Sequence, residues 1–370
     1  VSALVPWLPD HQQHVLYTLA HVDATIDRMA RTLEVYLDAP GPLTLQSRWT
    51  ESTEEVVLTN VAPLPQSVAR LFADALNQLR NVLEHSLTAE VTERLPRDLT
   101  PDESRAIEMP STSSPDAFAA WTRHKHRKSH GMFVAGADLH KRLDRLQPWH
   151  RKDPDLHPLR RLVAFTNAAK HQAPAIATVG VGKVLLDTRP RDVEQDASRG
   201  FGEIGSVLVS VPRGTTSGVS VWPQVAVRRP HTGELRTLMW EARDLEEWVR
   251  RIALPILIAG RIDLPDLPPH LDINRGYVDH QAAWAAAEPF AAAVRAAERL
   301  KATALRGDLI AMMVETDGET TRSAYASLFS SMTDREIADA FEPLGEAAQA
   351  RDFAAVSRIT ASWRFRAQAL

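Results

Sequence analysis

The sequence predicts an α+β fold: mainly a helical bundle, with an attached antiparallel β-meander and a C-terminal helical region. Three observations lead there. Apolar residues recur at helical spacing through most of the first half, most clearly in Ser67–Leu87. From Ile176 to Trp240 the period drops to two. Beyond the Pro-rich stretch Pro265–His270 the chain turns Ala-rich and helical again. These changes divide it into 1–173, helical with a long basic insertion at about 89–154; 174–264, the meander and one helix; and 265–370, the Ala-rich helices.

A chain of 370 residues with 44% hydrophobic residues is long and apolar enough to bury a sizeable core. It has no Cys, which excludes disulfides, Cys-ligated zinc and thiol nucleophiles. No run approaches 18 apolar residues, so no transmembrane helix is expected. The first twenty residues carry Asp10, His11 and His14 and no basic start before an apolar run, so a cytoplasmic protein is expected.

His11–Leu37 reads as the first long helix. Val15, Leu16, Leu19, Ala20, Val22, Ile26, Met29, Ala30, Leu33 and Val35 form its apolar face, Asp10 is placed to cap it, and Pro40-Gly41-Pro42 ends it. His14 and His21, seven apart, share a face and read as ordinary polar positions. Leu43–Ala62 is Thr-rich and partly alternating, which predicts two short strands around a turn at Glu51–Glu54.

Ser67–Leu87 is the clearest helix. Val68, Leu71, Phe72, Ala75, Leu76, Leu79, Val82, Leu83 and Leu87 fill one arc of about 160°. Arg80, Asn81, Glu84 and His85 fall on the other side, with Arg80 and His85 flanking the stripe. The same spacing recurs at Arg145 and His150 and at Arg275 and His280, but beside Pro148 or Gly276, where a regular helix is not expected. The stripe also has a plain reading. Arg80 with Glu84, and Asn81 with His85, are i, i+4 pairs of the kind that decorate solvated faces at ~0.2–0.5 kcal/mol each.

The string Arg80-Asn-Val-Leu-Glu-His85 resembles the signature of the HEPN superfamily, an Arg and a His with four to six residues between them, often with a polar residue after the Arg. That resemblance implies a HEPN-like bundle and a metal-independent endoribonuclease, often a toxin or defence effector, working as a two-fold homodimer. Histidine titrates near neutrality, with a reference pKa of ~6.5, and arginine offers a fixed fork of donors to phosphate oxygens. His85 is therefore the expected acid or base, Arg80 the charge stabiliser and Asn81 a positioning group. Residues five apart rise ~7.5 Å and diverge by ~140° on a helix, so one Arg80 and one His85 converge poorly on a single phosphate. The dimer that the resemblance implies would interdigitate two such helices.

A second resemblance covers Leu146-Gln-Pro-Trp149 and the helix that ends Asn167-Ala-Ala-Lys170-His171. It is similar to a pattern in uncharacterised bacterial proteins, where an LR…LDH-like helix precedes one ending N-x-x-KH; here Glu84 stands where Asp is usual. Lys170 and His171 are expected at the RNA, and as cations in a last helical turn they also suit the macrodipole. The expected partners are RNA, a second copy of the chain and a protein partner or inhibitor, with no cofactor and no membrane. The competing reading is a non-catalytic helical scaffold or partner-binding protein.

Thr88–Phe118, rich in Pro, Ser, Thr, Asp and Glu, reads as a long surface loop. From Arg123 to Arg161 eleven Lys or Arg stand against four Asp, a local +7 on a chain of net charge −4. Lys125, Arg127 and Lys128 are expected to contact phosphates, although such a segment also suits pairing with acidic neighbours. His124, His126 and His130 do not read as a metal site, because the interleaved cations oppose it and no acidic ligand is near.

Asp155–His171 reads as a helix, followed by strands at Ile176–Leu186, Glu203–Val211, Gly218–Arg228 and Glu234–Trp240 in an antiparallel meander, where Pro223 either demotes the third strand or places a bulge in it. Gly200–Gly205 matches a dinucleotide fingerprint as text, but it opens a strand, and a phosphate cradle needs a strand before and a helix after. Ala242–Arg261 reads as a helix kinked or divided at Pro255, and His280–Ala304 as one kinked at Pro289. Shorter helices are expected at about 306–316, 321–332, 334–341 and 347–367.

Overall fold

The second long helix is the axis of the larger part of the molecule. The computed structural model describes residues 7–38, 40–171, 177–186, 204–214 and 219–368. They form two compact units, Val1–Ala293 and Val294–Leu370. The first unit opens with a 3-10 turn at Asp10–Gln12, α1 (His14–Leu37), β1 (Leu43–Trp49), β2 (Thr53–Val61) and α2 (Gln66–Glu93). It continues with α3 (Pro101–Ala106), α4 (Pro115–Thr122), α5 (Asp138–Arg145) and α6 (Pro158–His171). After these come β3 (Ala177–Leu186), β4 (Val207–Pro212), β5 (Val219–Arg228), β6 (Leu235–Thr237), α7 (Leu238–Trp248), a π-helical turn at Val249–Ala253, α8 (Leu254–Ala259) and α9 (His280–Ala285).

All nine apolar positions predicted for α2 are buried, and the helix packs on α1, α6, α7 and α8. Phe72 of α2 meets Phe165 of α6 edge to face, with centroids 5.4 Å apart. The loop expected from Thr88 is corrected. α2 runs on to Glu93, because Val91 is buried and the buried Glu90 carboxylate gathers donors from His11, Gln12, Arg94 and Arg142. Two short helices follow inside the same stretch. Thr100 and Glu103 form a capping box at α3, and Ser114 caps α4, each with Pro in the first turn. The Ser, Thr and Pro that suggested a loop are helix starts here.

The four-stranded meander is also corrected. The strands exist, but as two three-stranded antiparallel sheets, ordered β1-β2-β4 and β3-β5-β6. β4 leaves its sequence neighbours and pairs with β2, from Thr53↔Pro212 to Val57↔Val207. Alternation tells which residues of β4 turn inward, here Val209 and Val211, but not which strand lies beside them. The register of β3 on β5 shifts between Val181 and Lys183, opposite Pro223; the extra residue is Gly182 of β3, so the irregularity lies in the partner of the Pro223 strand and not in that strand itself. The last strand is only three residues, and α7 starts at Leu238. Pro255 lies in the first turn of α8, just after the π turn, whose wider winding moves aside the carbonyl that a proline ring would strike. Ile176, residues 200–203 of the Gly200–Gly205 string, and Gly218 lie outside the described residues.

The single helix expected across Pro289 is two, α9 and α10 (Ala292–Asp317). The second unit contains most of α10, with α11 (Arg322–Ser331), α12 (Asp334–Gln349) and α13 (Phe353–Gln368). Leu309, Met313, Phe329, Ile337 and Trp363 form its core. α12 continues through Pro343 instead of ending at Phe341, and the chain turns at Arg351, whose φ is +55°. Arg364 and the Tyr325 hydroxyl both bond Asp317; burial, then that carboxylate, push Tyr325 up to about 12. No helix among the described residues is long and apolar enough to cross a membrane.

Candidate functional site

α2 buries one arc in the core, and the two ends of its polar stripe meet different neighbours. Arg80 is turned toward α6. Its Nη1 donates to Thr166 Oγ1 at 3.0 Å and to Asn167 Oδ1 at 2.7 Å, and its Nε reaches Glu84 Oε1 at 3.3 Å. Its side chain is 17% exposed, and Nη2 bonds no described residue. Arg80 thus joins the motif on α2 to the one that begins with Asn167. Lys170 is exposed one turn along α6 from Asn167, so the two share a face. The His171 side chain lies outside the described residues.

Glu84 is not a free surface carboxylate. Its Oε2 accepts the Met109 backbone N–H at 2.6 Å. Burial pushes its carboxyl above the usual carboxylate range, against the opposing pull of the Met109 N–H and Arg80. Asn81 is half-buried between the two ends of the stripe.

His85 is exposed on the α1 side of α2, and no hydrogen bond or ion pair with a described residue holds its ring. Its ring lies 6.1 Å, centroid to centroid, from His14 of α1, at an interplanar angle of 66°. Burial, and then His85 itself, hold His14 below the ordinary histidine range. Arg80 toward α6 and His85 toward α1 keep the divergence that helical geometry predicts. Among the described residues, no three His, Asp or Glu side chains are grouped to hold a metal ion.

The basic segment divides. Lys125 and Lys128 are exposed. Arg127, expected at phosphate, is 6% exposed, and its placement corrects that expectation. Its guanidinium stacks 4.2 Å over Trp121, donates from Nε to the Trp121 carbonyl at 2.7 Å, and donates from Nη1 to the Ala106 carbonyl. It is a strut between α3 and α4. Other cations of the segment also face inward: Arg142 bonds the carbonyls of Leu257 and Ile258, and the buried Arg161 pairs with Glu241 at 3.0 Å. His130 is buried 3.4 Å from Glu103, whereas the rings of His124 and His126 lie 5.6 Å apart.

Sequence reasoning missed three participants. In the sequence His14 reads as an ordinary polar position; only the antiparallel packing of α1 on α2 brings it to His85. Thr166 gave no signal. Asn167 belongs to the second motif, but nothing in one sequence says that it bonds Arg80. No family model, no curated protein and no solved structure matches the chain.

Proposed function

We propose that the chain is a HEPN-like, metal-independent endoribonuclease acting as a homodimer, with His85 exchanging protons, Arg80 stabilising charge on phosphate and Asn81 positioning the substrate. The observation that carries this reading is the Arg80–Asn167 bond of 2.7 Å, on the same helix that leaves the His85 ring exposed. It brings two separately recognised motifs together, with the exposed Lys170 alongside.

In the proposed reaction the 2′-oxygen of RNA forms a bond to phosphorus, and its proton passes to His85. The P–O5′ bond breaks, and the leaving oxygen takes a proton from the partner's His85. The products are a 2′,3′-cyclic phosphate and a 5′-hydroxyl. The negative phosphorane calls for fixed donors, which arginine supplies. Two subunits are needed because Arg80 and His85 of one chain face different helices.

A second reading has its own support. Arg80 bonds Glu84, Thr166 and Asn167, as a structural clamp between α2 and α6 would, and this favours a non-catalytic scaffold. Cleavage of a labelled RNA, with the DNA strand of the same sequence as control, separates the two. The nuclease cuts only the RNA and leaves cyclic-phosphate ends; a correctly folded dimer that cuts neither is the scaffold.

A further inference from the structure

His14 sits on α1 facing His85, and its two ring nitrogens differ. Nε2 is shielded from solvent and has no hydrogen-bond partner among the described residues. The His11 backbone favours the protonated ring, but burial outweighs it. In a neutral ring the buried, unpartnered Nε2 can serve as an acceptor. Burial, and then the neighbouring His85, lower its pKa and so favour the neutral ring. A buried acceptor with no donor is rare in folded proteins.

The groups around this turn of α1 narrow the choice of donor. His11 is already paired with Glu90 at 3.0 Å and lies 4.0 Å from Glu93. His280 of α9 lies 3.7 Å from Asp10. Gln12 donates to the Ser86 carbonyl and to Glu90. His85 is exposed, held by no described hydrogen bond, and its ring stands 6.1 Å from that of His14. Turning the exposed ring brings an N–H toward Nε2, and hydrogen bonds in catalytic sites are often long until substrate arrives.

We infer that His14 is the positioning residue for His85: its buried Nε2 accepts a ring N–H of His85 and leaves the opposite His85 nitrogen, on the solvent side, as the one that exchanges a proton with RNA. This follows the general logic of a base oriented by a third group. It rests on the reading of His85 as the acid–base group.

The test uses ring-¹⁵N-labelled protein and reads the tautomer of His85 by NMR in the wild type, His14→Phe and His14→Gln. Glutamine keeps an acceptor oxygen near the place of Nε2; phenylalanine keeps the ring shape without it. One dominant His85 tautomer is expected in the wild type, a mixture in His14→Phe, and recovery in His14→Gln. The same tautomer population in all three overturns the inference. Ser86, whose hydroxyl is also buried and unpaired, is the competing donor to His14. Ser86→Ala leaves the His14 titration midpoint unchanged if the inference holds, and a rise in that midpoint, with none in His85→Asn, overturns it. A second measurement leaves α1 untouched: in His85→Asn the titration midpoint of His14 rises toward the ordinary value, and an unmoved midpoint counts against the pair. With RNA, His14→Phe lowers kcat by about 10- to 100-fold, the usual cost of losing an orienting partner, with KM unchanged. If the tautomers behave as expected and no protein cuts RNA, the pairing stands and the ribonuclease reading falls.

Discussion

At His85 the polar stripe of α2 leaves a titratable ring in solvent, while five residues earlier Arg80 is drawn into bonds with α6. The two residues therefore respond differently to substitution. His85→Ala removes an acid–base group and is expected to lower cleavage by ~10²–10⁴-fold with little change in melting temperature. Arg80→Ala also strips partners from Glu84, Thr166 and Asn167. It is expected to cost ~1–3 kcal/mol in addition to activity, as measured by urea denaturation. A third residue sets a pH limit. His157 is 7% exposed, and its Nδ1 accepts the Leu159 N–H. Burial, with Arg151 and Arg161 nearby, lowers its pKa to about 4. Its folded pKa lies below its unfolded one, so the unfolded chain binds the extra proton between them, and stability falls as pH drops from the ordinary histidine value toward about 4. The loss is on the order of 2–3 kcal/mol. His157→Asn keeps an acceptor for Leu159 and is expected to flatten that part of the stability–pH curve; an unchanged curve would contradict the assignment.

The elements show where a sequence is readable. α2 was legible because one periodicity fixes both its existence and its buried arc, and all nine apolar positions went inside. The strands were legible for the same reason, but β4 pairs with β2, and α3 and α4 lay hidden in a stretch whose Ser, Thr and Pro suit loops and helix starts alike. The motif residues on α2 and α6 could be named in advance; the bond between Arg80 and Asn167 could not, because it depends on how two helices cross. The basic segment carries the same lesson at finer grain. Lys125, Arg127 and Lys128 look equivalent in the sequence, yet Arg127 has Trp121 beneath it and backbone carbonyls at its donors. Arg127→Ala is expected to destabilise by about 2–4 kcal/mol through lost stacking and orphaned carbonyls, with Lys125→Ala and Lys128→Ala within about 0.5 kcal/mol of wild type. Equal small effects in all three would show that Arg127 is not a strut.

For the whole molecule, the proposal requires two chains and a nucleic-acid track. The exposed Lys125, Lys128 and Lys170 are the candidate phosphate contacts. Lys125→Gln with Lys128→Gln is expected to weaken RNA binding and to reduce the slope of log affinity against log salt by about 1–2. Catalysis by a dimer also predicts that specific activity falls on dilution below the dissociation constant. The most direct test of the central claim is cleavage of purified RNA in excess EDTA by the wild type and by His85→Ala, each verified as a folded dimer. The account predicts cyclic-phosphate products from the wild type and a loss of at least about 100-fold in His85→Ala. Cleavage that EDTA abolishes, or equal cleavage by both proteins, would contradict it.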